Sequence, residues 1–101
     1  MRHFVQFRLE DKMKAVVTVI GKDTVGILAK VSSCCAKHNA NVIEVTQSVL
    51  QDMFAMIMLI DIKGLSGDFS KLSDELKALG EEMGLSIHAM HEDVFNSIHH
   101  V

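Results

Sequence analysis

The chain has 101 residues, 49% apolar and 23% charged, with a formal net charge of -3 at pH 7. This is the composition of one small folded domain and excludes a disordered chain; the negative balance excludes the basic footprint of a nucleic-acid binder. Cys34 and Cys35 are adjacent and there is no other cysteine, which excludes a disulfide scaffold; no apolar run reaches the roughly 18 residues of a membrane span.

At the N-terminus, Val5, Phe7 and Leu9 alternate with Gln6, Arg8 and Glu10, a period-two pattern. Residues 1–12 read either as an added edge strand or as an extension ahead of a domain spanning 13–101. They lack the long apolar stretch and small-residue cleavage site of a signal peptide, so a cytoplasmic location is expected.

Ala15–Ile20 is a run of mostly β-branched apolar residues and predicts a strand buried on both faces. Gly21–Gly26 (GKDTVG) interrupts it. The period then changes: Ile27, Leu28, Val31, Cys34 and Cys35 fall on one helical face. Asp23 or Thr24 is expected to cap that helix. Asn39 is expected to end it in a left-handed conformation.

Val42–Leu50 reads as a second strand, with Ile43, Val45 and Val49 on one face and Glu44, Thr46 and Ser48 on the other. Gln51-Asp52 supplies a tight turn to a third strand, Met53–Ile62, again apolar on both faces. After a Gly64–Gly67 loop, Phe69, Leu72, Leu76, Leu79 and Met83 form a helical stripe, with Lys71, Asp74, Glu75 and Glu81 toward solvent and Gly80 and Gly84 ending the helix. Leu85–His91 alternates as a fourth strand, and Glu92–Val101 predicts a short terminal helical turn through Val94, Phe95 and Ile98.

The order βαββαβ defines an α+β, ferredoxin-like sandwich. Right-handed crossovers put strands one and three at the centre of a four-stranded antiparallel sheet with two helices on one face. Those two strands are the ones apolar on both sides. The open sheet face is then unusually apolar, and pairing with a second copy is the simplest cover for it.

The loop before the first helix is the best candidate site. Glycines at both ends allow close approach, and the free amides and positive dipole end of the helix suit the carboxylate of a small ligand. Asp23 can hold an ammonium. The bland alternative is a capped turn with Asp23 as N-cap. No phosphate-binding loop is present, because Ile27-Leu28 follow Gly26. His88 and His91 lie on opposite faces of one strand, and no Cys/His set has structural-zinc spacing, so no metal is expected. A hydrolase holding phosphate would need an arginine in the first loop, and the only arginines are Arg2 and Arg8. No catalytic constellation is legible, and no cofactor is expected.

Residues Lys14–Leu28 (KAVVTVIGKDTVGIL), followed by Asn39-Ala40-Asn41-Val42-Ile43-Glu44-Val45, resemble the opening of an ACT domain: an apolar strand, G-x-D-x-x-G-[IL]-[IL], a helix, then an Asn-led second strand. The likeness covers about residues 13–91. It is nearest to small stand-alone bacterial and archaeal ACT proteins and to the ACT repeats of the glycine cleavage repressor. The resemblance implies a non-catalytic regulatory module that pairs with itself and binds an amino acid or similar metabolite. Asp23, Thr24, Val25, Gly26, Ile27 and Leu28 would line that site. Asn41 would complete it from the same or a neighbouring subunit. With no effector domain in these residues, the module is expected to act in trans on a protein partner. An interaction subunit with no ligand of its own is the alternative.

Overall fold

The computed structural model describes residues 13–98. The segment 1–12 and the terminal His99–Val101 lie outside the described residues, so the reading of an N-terminal edge strand is not addressed by it.

The elements are β1 (Lys14–Lys22), α1 (Ile27–Lys37), β2 (Asn41–Leu50), β3 (Met53–Asp61), α2 (Phe69–Met83), β4 (Leu85–His91) and α3 (Glu92–Ile98). They form one antiparallel sheet in the order β2-β3-β1-β4, with β1 and β3 central. The chain is therefore the expected ferredoxin-like sandwich. Doubly apolar strands occupy the centre because only there are both faces partly shielded.

Register assigns the faces. Ala15, Val17 and Val19 pair with Ile60, Met58 and Met56 on the helix side, and all six are essentially closed to solvent. From α1, Ile27, Val31, Cys34 and Cys35 complete this core; from α2, Leu72 and Leu76 do, with Phe69, Leu79 and Met83 at its margin. Leu28, on the expected apolar stripe, stays 41% exposed. It lies in the first turn of α1, next to the β1–α1 loop.

Three local expectations are corrected. In β2 a bulge between Val42 and Glu44 shifts the phase, so Val42 joins Val45 against the core and Ile43 turns out to solvent. The extra residue is confined to the bulge, so Val45 and Val49 stay on one face and Glu44, Thr46 and Ser48 on the other, as expected. Gly80 does not end α2; it is buried within it. A Cβ there would lie 2.7 Å from the Leu85 carbonyl oxygen and 2.9 Å from Ile87 Cγ1, so glycine is what lets α2 lie so close to β4. The helix ends at Gly84, with φ 74°, as expected. Finally, Glu75 points not into open solvent but toward α1, as described below.

The face away from α1 and α2 carries Val16, Thr18, Ile20, Ala55, Ile57 and Leu59, with Glu44 and Thr46 from β2. It is not wholly open. α3 folds back over it, packing on β1 and β4, and Val16 is only 4% exposed. Ile20 and Ile57 remain half exposed, and the nearby hairpin end carries exposed Leu50 and Met53.

Candidate functional site

The β1–α1 loop departs from the capped turn that its sequence allows. Neither Asp23 nor Thr24 caps α1. The N-cap is Gly26, in the left-handed region at φ 86°, and no side chain hydrogen-bonds the first turn. The first helical bond is Lys30 N–H donating to the Gly26 carbonyl oxygen, at 3.0 Å. The amides of Ile27, Leu28 and Ala29 precede that bond and have no intrahelical acceptor. They lie at the positive end of the α1 dipole.

The loop is anchored at its base. The Asp23 amide donates to the Asp52 carbonyl oxygen in the β2–β3 turn, at 2.8 Å. That turn is made by Gln51 at φ 59°. Asp23, Thr24 and Val25 are exposed, and Val25 is 94% so; Ile27 is buried and plugs the helix start into the core. Val25 is therefore not part of the core packing.

Asn41 is not brought to this loop within one chain. It pairs with Asp61, which pairs with Lys14 at the start of β1, whereas the loop follows Lys22 at the other end. Eight strand steps of ~3.3 Å separate the two, about 26 Å. Of the expected site residues, the six from Asp23 to Leu28 are contiguous and Asn41 stands apart. A same-subunit site containing Asn41 is thereby excluded.

A second constellation was missed at the sequence level. Cys34 and His38, one turn apart near the end of α1, face Glu75 on α2. The Cys34, His38 and Glu75 ligand atoms all lie within 4.8 Å of one another. His38 Nε2 is 2.7 Å from Glu75 Oε1, and the Lys37 ammonium pairs with Glu75 Oε2. Hydrogen bonds from Lys37 and then His38 hold the Glu75 carboxyl below its ordinary range. Burial, and after it the charge of Glu75, pushes the Cys34 thiol up. Burial pushes Cys35 up to about 11. The only hint in the sequence is the four-residue Cys–His spacing, which puts both on one helix face; their meeting with Glu75 needed the packing of α1 on α2.

His88 and His91 do fall on opposite faces, through pairing with Thr18 and Ala15. His91 stacks against Phe69, ring centroids 4.4 Å apart. Its role here is packing. No helix among the described residues is long and apolar enough to cross a membrane.

This fold with its uncapped Gly-led helix is that of an ACT regulatory domain, and the sequence matches that family over residues 14–90; the chain belongs to the ACT domain family. It is similar to a UPF0237 protein of Methanopyrus kandleri, 48% identical over 88 residues, covering 87% of this chain and 98% of that one. Among solved structures it is similar to an ACT domain protein from Streptococcus pneumoniae, with 34% identity, a TM-score of 0.71, and coverage of 82% of this chain and 93% of the other. A protein described as a glycine cleavage system transcriptional repressor shares the fold at 22% identity and a TM-score of 0.64, over 76% of this chain and 44% of the repressor.

Proposed function

We propose that this chain is a non-catalytic regulatory module, paired with a second copy of itself, that binds a small carboxylate-bearing metabolite, an amino acid first of all, at the β1–α1 loop. The observation that carries the reading is the α1 N-terminus, where Gly26 is the cap and no side chain occupies the first-turn amides. A ligand carboxylate accepts from the Ile27–Ala29 amides, stabilised by the helix dipole. Asp23 pairs with the ligand ammonium. Val25 and Leu28 supply apolar contact, and Asn41 contributes from the neighbouring subunit, since its own chain holds it about eight strand steps away. Family membership supports the reading.

Screening the amino acids by thermal shift, followed by calorimetric titration, tests it. The expected result is saturable binding of at least one at micromolar to millimolar concentration, with amide shifts centred on Gly26–Ala29. A well-folded dimer that binds none of them at millimolar concentration overturns the ligand assignment.

A second reading, an interaction subunit acting on a protein partner in trans, is favoured by the half-exposed Ile20 and Ile57 on the sheet face and by exposed Leu50 and Met53 beside them. Recovery of a specific partner by a ligand-free chain supports it. A clear amino-acid titration with no partner counts against it.

A further inference from the structure

We propose that Cys34, His38 and Glu75 form a binding site for a borderline divalent cation, Zn²⁺ in the first instance, that joins α1 to α2. The site is independent of the metabolite-binding loop.

The donor set fits this cation class. One thiol, one imidazole and one carboxylate are the three ligand types that Zn²⁺ takes, while Mg²⁺ and Ca²⁺ take oxygen alone. Zn–S and Zn–N bonds of about 2.3 and 2.0 Å require ligand atoms about 3.2–3.8 Å apart in a tetrahedron. The Sγ, imidazole and carboxylate atoms already lie within 4.8 Å of one another, so the set is within about 1.6 Å of that geometry.

The backbone holds the ligands in place. Cys34 is buried and the His38 side chain is 14% exposed, so neither samples solvent freely. His38 lies in a helix-ending turn fixed on three sides. The Asn39 amide donates to Ala36 and the Ala40 amide to Cys35, each at 2.9 Å, with Asn39 at φ 63°. The Ser66 amide donates to the His38 carbonyl oxygen at 2.9 Å, and the Asn39 side chain donates to the Gly64 carbonyl oxygen at 2.7 Å. Such support limits the entropy lost when a ligand set closes on a metal.

Without metal, Glu75 pairs with the Lys37 ammonium and is hydrogen-bonded to His38. On binding, the cation takes over the pairing with Glu75: the Lys37 ammonium swings away, the proton that His38 Nε2 donates to Glu75 passes to Nδ1 of the ring or to water, the freed nitrogen and carboxylate make two metal bonds in place of their hydrogen bond, and the Cys34 thiol releases its proton to water. Three protein ligands leave a fourth position, facing the groove lined by Lys30, Ser33 and Leu79, for water.

Cobalt titration of the intact, reduced protein tests the site. The expected result is one Co²⁺ per chain with a near-ultraviolet thiolate-to-cobalt band, displaced by Zn²⁺. Zn²⁺ at a hundredfold excess over its Kd should raise the thermal midpoint by roughly 10 °C or more. Cys34→Ser should abolish the band, and His38→Ala and Glu75→Gln should weaken Zn²⁺ binding by roughly tenfold or more, by analogy with the cost of even supporting residues. Glu75→Gln changes a part-exposed surface residue, so it reads the site without emptying the core. Cys35→Ala and the double change His99→Ala/His100→Ala should leave binding intact. Absence of the thiolate band, or metal affinity unchanged in Glu75→Gln and His38→Ala, overturns the proposal.

Discussion

Gly26 and the two cysteines carry the sharpest single-residue consequences. Gly26 holds φ 86° at the head of α1, and the nearest atom to a Cβ placed there is Lys30 Cε at 4.0 Å. Space is therefore not the obstacle; the left-handed backbone is, at about 1–2 kcal/mol for a residue with a Cβ. Gly26→Ala should cost that much in urea unfolding, and it should weaken amino-acid binding because the first-turn amides would be re-aimed. Cys35, fully buried, has its thiol pushed up to about 11. A group whose pKa is raised in the folded state supports folding below its unfolded value and loses that support as pH climbs toward the folded one. The denatured chain ionises Cys35 first, so stability should fall between the ordinary thiol range and about pH 11. Cys35→Ala should flatten that part of the profile. In chelator-treated protein at pH 8, iodoacetamide should label Cys34 slowly and Cys35 hardly at all, and both rapidly in denaturant. Fast native labelling of Cys35 would refute its burial.

At the scale of elements, the seating of α2 on the sheet decides both the core and the second constellation. Leu72 and Leu76 are closed to solvent on this helix. Leu76→Ala removes a buried side chain from a core that relaxes only in part around the gap. It should cost about 2–5 kcal/mol by denaturant titration. Gly80→Ala is the converse test. The added carbon would lie 2.7 Å from a backbone oxygen of β4, so the helix must shift rather than a flexible side chain. A loss of roughly 1–3 kcal/mol is expected. A neutral result would mean that α2 stands further from β4. The same seating brings Glu75 to Cys34 and His38. Periodicity placed Glu75 toward solvent, because a helical wheel distinguishes a core side from an outer side but not the flank that meets a neighbouring helix.

For the whole molecule, the governing feature is a sheet apolar on both faces, one covered by α1 and α2 and the other only in part by α3. α3 closes the region around Val16, and Ile20, Ile57, Leu50 and Met53 stay about half exposed or more. Burial of such surface against a second copy is worth about 25 cal/mol per Å² before association costs. Light scattering should therefore report a dimer at micromolar concentration. Ile57→Lys, at the centre of the uncovered face, should shift it to monomer without unfolding it. A wild-type monomer would remove the pairing from the proposed function, and with it the only way for Asn41 to reach the ligand.

Strand and helix identity, their order, and the doubly apolar central strands were legible in the sequence, because they depend on local periodicity and on which residues tolerate burial on both faces. The left-handed Asn39 was legible too, since few residues other than glycine adopt that backbone without strain. The proposed loop site, Asp23–Leu28, needs only adjacency in the chain. Tertiary structure alone decided the rest. The bulge between Val42 and Glu44 turned Ile43 out of the core face that Val45 and Val49 keep, which composition does not encode. Gly80 proved to be a packing contact with β4, and Gly26 displaced Asp23 as the cap of α1. Register separated Asn41 from the loop, and helix packing assembled Cys34, His38 and Glu75 from positions up to 41 apart in sequence. Each of these depends on contact between segments distant in the chain, and local periodicity carries no information about which flank of one element will meet which flank of another.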